Sequence, residues 1–474
     1  MSIQLNSTQL EEFLKITFTD CADLTMRKMI ITEDKSIYAA YIGNLSDRTY
    51  ITDSILKPLI ASKIPFQVET SFLQMVSSST LEEVADQDQA ISKILAGNAV
   101  IFTDSPNSGC VIYTATTKSS TGRSINEPDS EVVVRGPREG FIESADLNVA
   151  LLRKRIKTPD LKVKKICLGQ HTKTDISIVY LKNVADENVL ATLMTKLQSI
   201  KLPGIIDSGY IEHYIEETTH PLFSAVGNSE KPDKIAAKIL EGRIAIVCDG
   251  SPVVLTVPYL FVESIQSAED YLKTPYYATF IRFLRLSGMF LSFYLPAIYI
   301  TLLEHHKGAI PFELYLTIAK ARKAMPFSVF TEIITVLLIF ELIREVGLRM
   351  PKAIGDAVSI VGGIILGDAA IKAGIASAPV IMVGSLTVIS SFMNPPFMNS
   401  TVLIRLFNIV LAKLFGIVGI IFAILFLLVF LCQKTSYGMP YLSPFAPVKP
   451  EGFVDGLLMI PKNALQHEST ELKK

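Results

Sequence analysis

The segment Glu127–Phe141, EPDSEVVVRGPREGF, gathers residue types that could bind a ligand or perform chemistry. It contains four acids, two arginines, two prolines and two glycines around a run of three valines. Because arginine binds phosphate through paired hydrogen bonds, RGPREG at 135–140 has the chemistry of an anion site. It lacks the strand, glycine-rich loop and helix that together offer several backbone amides to a nucleotide. Three interpretations follow: a phosphate loop, a catalytic cluster, or a joint between two structural units.

Other side chains with reactive chemistry stand alone in the sequence. His305 and His306 follow Glu304, but adjacent side chains on a helix diverge, which favours a polar turn over a metal site. Asp104 and Asp249 end strand-like runs, where aspartate commonly bonds the backbone of a turn. The sequence has no GxxxxGKS/T, HExxH, GxSxG or paired CxxC motif. It therefore predicts no enzyme, no cofactor and no metal site.

Composition narrows the class of protein. The chain has 474 residues and a formal net charge of −1, which gives no reason to expect a nucleic-acid partner. Its five cysteines stand singly, and an odd count without CxxC spacing argues against a disulfide framework. The first residues, MSIQLNSTQLEEF, hold no apolar run typical of a secretory signal. These features predict that the amino-terminal region lies in the reducing cytoplasm.

Hydropathy divides the chain into two parts. Residues 1–280 read as a soluble protein, whereas 283–432 carry long apolar runs with few charges. Because about 20 apolar residues in a helix cross a bilayer, Leu286–Leu303 and Leu414–Cys432 are predicted spans, the first with a kink at Pro296. We expect four to six spans in total. The lysines and arginines that flank them place the amino-terminal domain inside.

Three acids fall within or beside the apolar runs between these two spans: Glu332, Glu341 and Asp368. Charges at membrane depth tend to face a bundle interior or a water-filled cavity, which makes these acids functional candidates. The alternative places them at the membrane interface or in loops.

Small residues recur at every fourth position in the same region, at Gly355, Ser359, Gly363 and Gly367. A helix face of this kind lets another backbone approach closely. Two interpretations stay open. The face packs tightly against another helix, or it lines a narrow pore in an oligomer.

The amino-terminal part contains an internal repeat. SIYAAYIGNL at 36–45 matches DISIVYLKNV at 175–184, and ILAGNAVIFTDSP at 94–106 matches ILEGRIAIVCDGSP at 239–252. The two matches keep their order, with offsets of 139 and 145 residues. Duplication explains an ordered pair of matches better than chance does.

The repeat and the hydropathy together predict the architecture. We expect an α/β or α+β cytoplasmic region of two related subdomains, followed by an all-α polytopic membrane domain. Each repeat should contain helices at helical apolar spacing, seen at Leu81–Leu95 and Glu187–Ile200. We call Glu127–Phe141 the signature segment. The predicted division is a first subdomain at 1–116, a linker with the signature segment at 117–140, a second subdomain at 141–280, a membrane domain at 281–433 and a tail at 434–474.

Longer motifs carry a resemblance to a known family. They include EPDSEVVVRGPREGFIES (127–144), NVALLRKRIKTPDLK (148–162), SEKPDKIAAKILEGRIAIVCDGSP (229–252) and FELIREVGLRMPKAIGDAVSIVGGIILGDAA (340–370). In this order, and over nearly the whole length, the chain resembles the A subunit of the spore germinant receptors, the GerA family. The resemblance implies a protein of the inner membrane of the dormant endospore, with a cytoplasmic amino-terminal domain of two subdomains.

The resemblance also implies partners and an activity. Family A subunits act with a transporter-like B subunit and a lipoprotein C subunit. They are thought to form homo-oligomers in membrane lipid and to act as a ligand-gated cation channel early in germination. Two alternatives are a secondary transporter, although no repeat is found within the membrane half, and a non-conducting scaffold of the germination complex.

The chain departs from the family pattern at two positions. It has Asp368 where the family usually has glutamine, and Lys231 where the family usually has arginine. If the small-residue helix lines a pore, Asp368 would favour cations, as rings of acids do in cation channels.

The signature segment is interpreted as a joint between the two related subdomains. Its acids Asp129, Glu131 and Glu139 are expected to pair with Arg135 or Arg138 across that joint. Exposed pairs of this kind contribute little to stability, so their expected role is geometry or partner docking.

Overall fold

The computed structural model describes residues 6–32, 35–61, 81–84, 86–105, 109–117, 128, 131, 135–218, 222–323, 325–350, 362–363, 365–448 and 456–459. The chain forms two compact units. The first unit is built from Met1–Tyr259 with the short segment Ser436–Met439. The second unit is built from Leu260–Thr435 with Pro440–Glu471.

The first subdomain of the first unit is an antiparallel sheet of five strands in the order β1-β2-β4-β5-β3. Its strands are β1 Leu24–Thr32, β2 Lys35–Ile42, β3 Leu81–Val84, β4 Ala99–Ser105 and β5 Gly109–Ala115. Its helices are α1 Ser7–Thr17, α2 across 48–61 with a π-helical centre at Ile51–Leu56, and α3 Gln87–Leu95.

The second subdomain repeats this topology strand for strand, in the order β6-β7-β9-β10-β8. Its strands are β6 Leu161–Leu168, β7 Thr174–Leu181, β8 Gly227–Ser229, β9 Ile244–Cys248 and β10 Val254–Val257. Its helices are α4 Ala145–Arg155, α5 Glu187–Ser199, α6 Ser208–Ile215 and α7 Pro232–Leu240. Two subdomains with one strand order confirm the predicted pair of related subdomains, and antiparallel pairing throughout makes them α+β.

The central strands explain why the second subdomain is so apolar in sequence. Side chains of a strand alternate between the two faces of a sheet. In β9, Ile244, Ile246 and Cys248 enter one buried cluster, whereas Ala245 and Val247 enter another. Helices α5 and α6 cover the first face, and helices α4 and α7 cover the second. A strand buried on both faces reads as a continuous apolar run rather than an alternating one.

One predicted helix was wrong. Leu81–Leu95 was expected to be a single helix, but Leu81–Val84 forms strand β3 against β5, and the helix begins at Gln87. Asp86 ends the strand segment and starts the helix, because its carboxylate accepts a hydrogen bond from the Gln89 amide at 2.7 Å. The expected helix at Glu187–Ile200 is confirmed as α5.

The second unit is helical. Helix α8 covers Pro275–Ile300 and continues as a π-helical turn through Thr301–His305. The helices that follow are α9 Phe312–Arg322, α10 Val329–Arg349, a helical stretch at 365–372, α11 Ala378–Ser391, α12 Met398–Phe415 and α13 Ile417–Gln433. Two helices of the described residues are long and apolar enough to cross a membrane, Pro275–His305 and Pro395–Phe415. Helices α11 and α13 are apolar but shorter.

One expected span is interrupted. Leu286–Leu303 lies inside the helix Pro275–His305, as expected. The run Leu414–Cys432 was predicted as a single span, but Gly416 takes a φ of +58° and separates α12 from α13. Glycine has no Cβ and adopts this conformation readily, so an unbroken apolar run conceals a turn.

Candidate functional site

The helical unit is apolar outside and polar in parts of its interior. Helix α13 exposes half or more of several aliphatic and aromatic side chains: Val418, Ile421, Phe422, Leu425, Phe426 and Val429. By contrast, ionisable side chains such as Arg282, Glu332 and Arg405 are almost completely buried. Because such residues inside an apolar bundle are costly unless they are paired, the buried polar network is the candidate functional site.

The first part of this network surrounds the proline of α8. Pro296 has no amide hydrogen, so the carbonyl four residues earlier, that of Ser292, has no donor within the helix. Arg405 of α12 donates Nε–H to this carbonyl at 3.1 Å. One turn further along α12, Asn408 donates its side-chain amide to the carbonyl of Phe293 at 3.0 Å. Thus a neighbouring helix satisfies the backbone beside the proline, as apolar surroundings require.

Glu332 ties three helices together. Its side chain is fully buried in the first turn of α10. One carboxylate oxygen accepts hydrogen bonds from Arg322 at the end of α9, at 2.9 and 3.1 Å. The other accepts from the backbone amide and hydroxyl of Ser377, the residue that precedes α11, at 3.1 and 2.9 Å. The acid therefore lies at the positive ends of two helices as well as against an arginine, which stabilises its charge.

Glu341 faces the same interior from the next turns of α10. It forms a 2.6 Å ion pair with Arg344 of its own helix. A second contact, at 3.6 Å, joins it to Arg405. The guanidinium of Arg405 therefore links Glu341 to the proline-freed carbonyl of α8. The sequence had selected Glu332 and Glu341 by position, but it gave no sign of their basic partners Arg322 and Arg405.

A second buried cluster lies at the start of α8. The carboxylate of Asp270 accepts hydrogen bonds from both terminal guanidinium nitrogens of Arg285, at 2.6 and 2.8 Å. The same carboxylate lies 3.3 Å from Nε of Arg282. Arg282 and Asp270 are completely buried. Both arginines precede the predicted span Leu286–Leu303, and one acid twelve to fifteen residues away partly neutralises their charge.

Asp368 has a different environment from the other two acids. It pairs at 2.6 Å with Lys372, one turn away on the same helical stretch. Both side chains are largely exposed, by 59% for Asp368 and 75% for Lys372.

The predicted small-residue face is only partly described. Gly355 and Ser359 lie outside the described residues. A Cβ placed on Gly363 would meet nothing within 4 Å, and one on Gly367 would meet only the Ile381 side chain at 4.0 Å. Among the described glycines, tight contacts occur instead at positions such as Gly288, against Met393, Gly384, against Val336, and Gly419, against the Leu411 backbone. Among the residues that the structure describes, Gly363 and Gly367 therefore make no close helix contact.

In the first unit, the joint between the subdomains is built from residues that the sequence did not select. Arg153 of α4 holds Asp23 of the first subdomain with two hydrogen bonds, at 2.8 and 3.0 Å, and both side chains are fully buried. Beside this pair, the Ala22 amide donates to the Val163 carbonyl and the Val163 amide donates to the Asp20 carbonyl. Burial acts to lower the pKa of Arg153, but the facing Asp23 carboxylate outweighs it and raises the pKa.

Two acids of the signature segment, Glu131 and Glu139, pair within the second subdomain instead. Glu131 forms a 2.7 Å ion pair with Lys234 of α7. Glu139 pairs with Arg155 at 2.6 Å and with Lys154 at 3.4 Å, both at the end of α4. The expected pairing of Glu131 and Glu139 with Arg135 or Arg138 was therefore wrong, because helices α4 and α7 bring other cations closer. Arg135 and Arg138 are exposed, and Asp129 lies outside the described residues.

Asp104 and Asp249, two aspartates selected in the sequence, make equivalent contacts in the two subdomains. Asp104 is the next-to-last residue of β4. It accepts hydrogen bonds from the amide and hydroxyl of Ser7, the first residue of α1. Asp249 follows β9 and accepts from the amide of Ala145, the first residue of α4. Both were expected to bond a turn. Each instead caps the first helix of its own subdomain, so the duplication extends to this contact.

Lys231, the second departure from the family pattern, is nearly buried at the start of α7. Its Nζ lies 3.5 Å from the Asp233 carboxylate. No group of three or more His, Cys, Asp or Glu side chains that could hold a metal ion occurs among the described residues.

Comparison with known proteins gives the family. A family model described as Bacillus/Clostridium GerA spore germination protein matches residues 12–470. Spore germination protein KA of Bacillus subtilis (strain 168) is 38% identical over 449 residues, which are 93% of this chain and 82% of that protein. Spore germination protein A1 of the same organism is 32% identical over 445 residues, 93% of this chain and 90% of that protein. A crystal structure of the N-terminal domain of the A subunit of a Bacillus megaterium spore germinant receptor covers 55% of this chain and 98% of its own, at 26% identity and a TM-score of 0.42. The chain belongs to the GerA family of spore germination proteins.

Proposed function

We propose that the chain is the A subunit of a spore germinant receptor and acts as an oligomeric cation channel in the inner membrane of the endospore. Its relatives are spore germination proteins, which supports a role in germination. Nutrient binding elsewhere in the receptor would shift the oligomer from a closed to an open state, which requires that the bound partner interact differently with the two states.

The exposed pair Asp368–Lys372 carries the channel proposal. These two charges share a short helical stretch with apolar side chains that are also exposed, such as Ile365 at 60%. Lipid would disfavour the charges, and water would disfavour the isoleucine. A neighbouring copy of the chain that leaves the charges facing a water-filled path satisfies both requirements.

Flux measurements test this proposal. The full chain would be reconstituted in liposomes, and K⁺ and Cl⁻ fluxes would be compared for the wild type, Asp368→Asn and Lys372→Gln. We expect Asp368→Asn to lower the preference for cations, and Lys372→Gln to raise it, because the local charge changes in opposite directions. Glu345→Gln is the matched control, since Glu345 forms an equally exposed i,i+4 pair with Arg349 on α10.

Each failure has its own meaning. Flux no greater than in empty liposomes would reject the channel and favour a non-conducting scaffold. Flux that requires and saturates with a co-transported solute would favour a secondary transporter. Unchanged selectivity in Asp368→Asn would remove Asp368 from the ion path.

The places where the chain leaves and rejoins the first unit support a particular membrane topology. The chain leaves the first unit after Tyr259 and rejoins it at Ser436. The Tyr259 amide donates to the Ser436 hydroxyl at 3.0 Å. Both ends of the apolar segment would then lie on one side of the membrane, which favours an even number of crossings, four or six. We assign this side to the cytoplasm on the lysines and arginines that flank the predicted spans.

The partners are proposed to be a transporter-like B subunit and a lipoprotein C subunit. Arg135 and Arg138 are exposed on the signature segment, and we assign them to partner docking. Reversal of both to glutamate should weaken co-purification of the other subunits. Unchanged assembly and germination would reject this assignment.

A further inference from the structure

The segment that follows the last apolar helix is anchored in the second subdomain. Helix α13 ends at Gln433, and Ser436–Met439 belong to the first unit. Tyr437 is part of the core cluster on the α5–α6 face of the sheet and exposes only 6% of its surface. The segment after the last apolar helix thus supplies a core side chain to a domain whose last strand, β10, ends more than 170 residues earlier in the sequence.

The tyrosine occupies a site with specific polar partners. Its hydroxyl donates to the carbonyl of Ile215 at 2.9 Å, and its backbone amide donates to the Glu217 carboxylate at 2.7 Å. Lys196 of α5 donates to the same Ile215 carbonyl at 2.8 Å and lies 4.6 Å from the centre of the tyrosine ring. Ile215 is the last residue of α6, so its carbonyl has no partner within the helix. Tyr437 and Lys196 together complete the end of α6.

The preceding serine fixes the two chain crossings to each other. Ser436 is completely buried, and its hydroxyl donates to the carbonyl of Ala225 at 2.9 Å. The same hydroxyl accepts from the amide of Tyr259, the last residue before the chain enters the helical unit. The entry and the exit of the helical unit are therefore held at one place in the second subdomain.

The backbone conformation of the tyrosine indicates that these contacts hold it. Tyr437 has a φ of +52°, a left-handed conformation that is unfavourable for a residue with a Cβ. Such a conformation persists where surrounding contacts determine it. Only Lys434 and Thr435 separate Gln433 from Ser436, and so short a stretch spans at most about 10 Å. It leaves little slack between α13 and the docked segment.

We propose that the Lys196, Ile215, Glu217 and Ala225 site is an intramolecular docking site for Ser436–Tyr437, and that this docked segment relays conformational change between α13 and the second subdomain. The relay rests on the proposed receptor function, whereas the docking does not. The segment stays docked during signalling, and the short connection to Gln433 carries the movement.

Hydrogen exchange of the full chain in detergent tests the docking. Tyr437→Ala should speed amide exchange at residues 208–217 by about tenfold or more, because α6 loses its terminal partner. Tyr437→Phe, which keeps the ring and loses the hydroxyl, should give an intermediate change. Tyr214→Ala is the matched control, since Tyr214 lies on the same helix with half of its surface exposed, and it should leave the exchange of Tyr437 unchanged. Wild-type exchange at 208–217 in Tyr437→Ala would overturn the docking.

A flexible insertion tests the relay separately. Four Gly-Ser residues inserted after Lys434 should leave exchange at 208–217 as in the wild type, because Tyr437 can still dock. The same insertion should reduce the rate of nutrient-triggered cation release from spores several-fold, because the connection becomes slack. Normal release with the insertion would overturn the relay. Normal release from spores that lack the chain altogether would instead reject the proposed receptor function.

Discussion

Arg405 donates a hydrogen bond to the carbonyl of Ser292 on a different helix, at 3.1 Å, and this carbonyl is the one that Pro296 leaves without a helical donor. The arginine is almost completely buried and is also 3.6 Å from Glu341. A carbonyl without a donor in one helix and a buried guanidinium on another thus satisfy each other. In an apolar bundle each would be costly alone.

Pro296→Ala should rescue part of the damage caused by Arg405→Ala. Arg405→Ala leaves a buried carbonyl without a donor, at a cost of about 1–3 kcal/mol. In the double variant the amide of residue 296 can donate to Ser292, so the second substitution should recover about 1 kcal/mol of coupling energy. Thermal unfolding of the four proteins of the cycle in detergent gives this energy. Strictly additive losses would show that Arg405 acts on stability by another route.

Glu332→Gln should strongly destabilise the helical unit. Arg322 would lose its charge partner while it remains mostly buried, and removing one member of a buried pair costs about 3–5 kcal/mol. Glu345→Gln provides the control, because its pair with Arg349 is exposed and should contribute about 0–1 kcal/mol. Unfolding temperatures of both variants in the same detergent make the comparison. Equal temperatures would indicate that solvent reaches Glu332.

The joint between the subdomains should depend on Arg153 rather than on the signature arginines. Arg153→Met leaves Asp23 as an unpaired buried carboxylate, which costs about 3–5 kcal/mol. Lys165→Met breaks a partly exposed pair within the second subdomain, with Asp146, whose carboxylate also accepts a hydrogen bond from Asn44 of the first subdomain, and it should cost about 0–1 kcal/mol. Limited proteolysis of the full chain should show faster cleavage between the subdomains in Arg153→Met alone. Similar cleavage in both variants would contradict the dominance of the buried pair.

The first unit should lose stability in acid partly through Glu131. Burial acts to raise the pKa of Glu131, but Lys234 and the bonds from Ser229 and the Glu230 amide outweigh it, and the pKa lies below its ordinary value of 4.5. Because the pKa of Glu131 is lower in the folded than in the unfolded chain, its ionised carboxylate stabilises the fold fully above pH 4.5. This stabilisation is lost as the pH falls through the folded pKa.

The matching measurement is unfolding temperature against pH for the wild type and Glu131→Gln. The variant should be less stable at neutral pH, and its unfolding temperature should fall less between pH 5 and pH 3, because one titrating group is gone. Parallel curves for the two proteins would show that Glu131 does not contribute to the acid sensitivity.

Local sequence was sufficient for the duplicated fold. The matches at 94–106 and 239–252 contain β4 and β9, which occupy the same place in the two strand orders. The apolar pattern that marks such strands is a local property of the chain. The strand β3 was missed because its LEEV sequence has as much helical as strand character, and only pairing with β5 decides between them.

Polar partners could not be predicted from the sequence, because each pair joins residues that are distant along the chain. Asp23 and Arg153 are 130 residues apart, and Arg405 and Ser292 are 113 apart. Spacing arguments reach only about one helical turn. They therefore suggested a joint at Glu131 and Glu139, where the cations that fold next to these acids come from α4 and α7.

The sequence by itself determined the two-part division, the repeated subdomain and the acids that needed partners, since periodicity, hydropathy and charge act locally. Tertiary structure alone decided which cation meets which acid, that Gly416 divides a continuous apolar run into two helices, and that Tyr437 packs in the core of the second subdomain. The physical reason is that burial and hydrogen-bond geometry depend on which distant segments fold together.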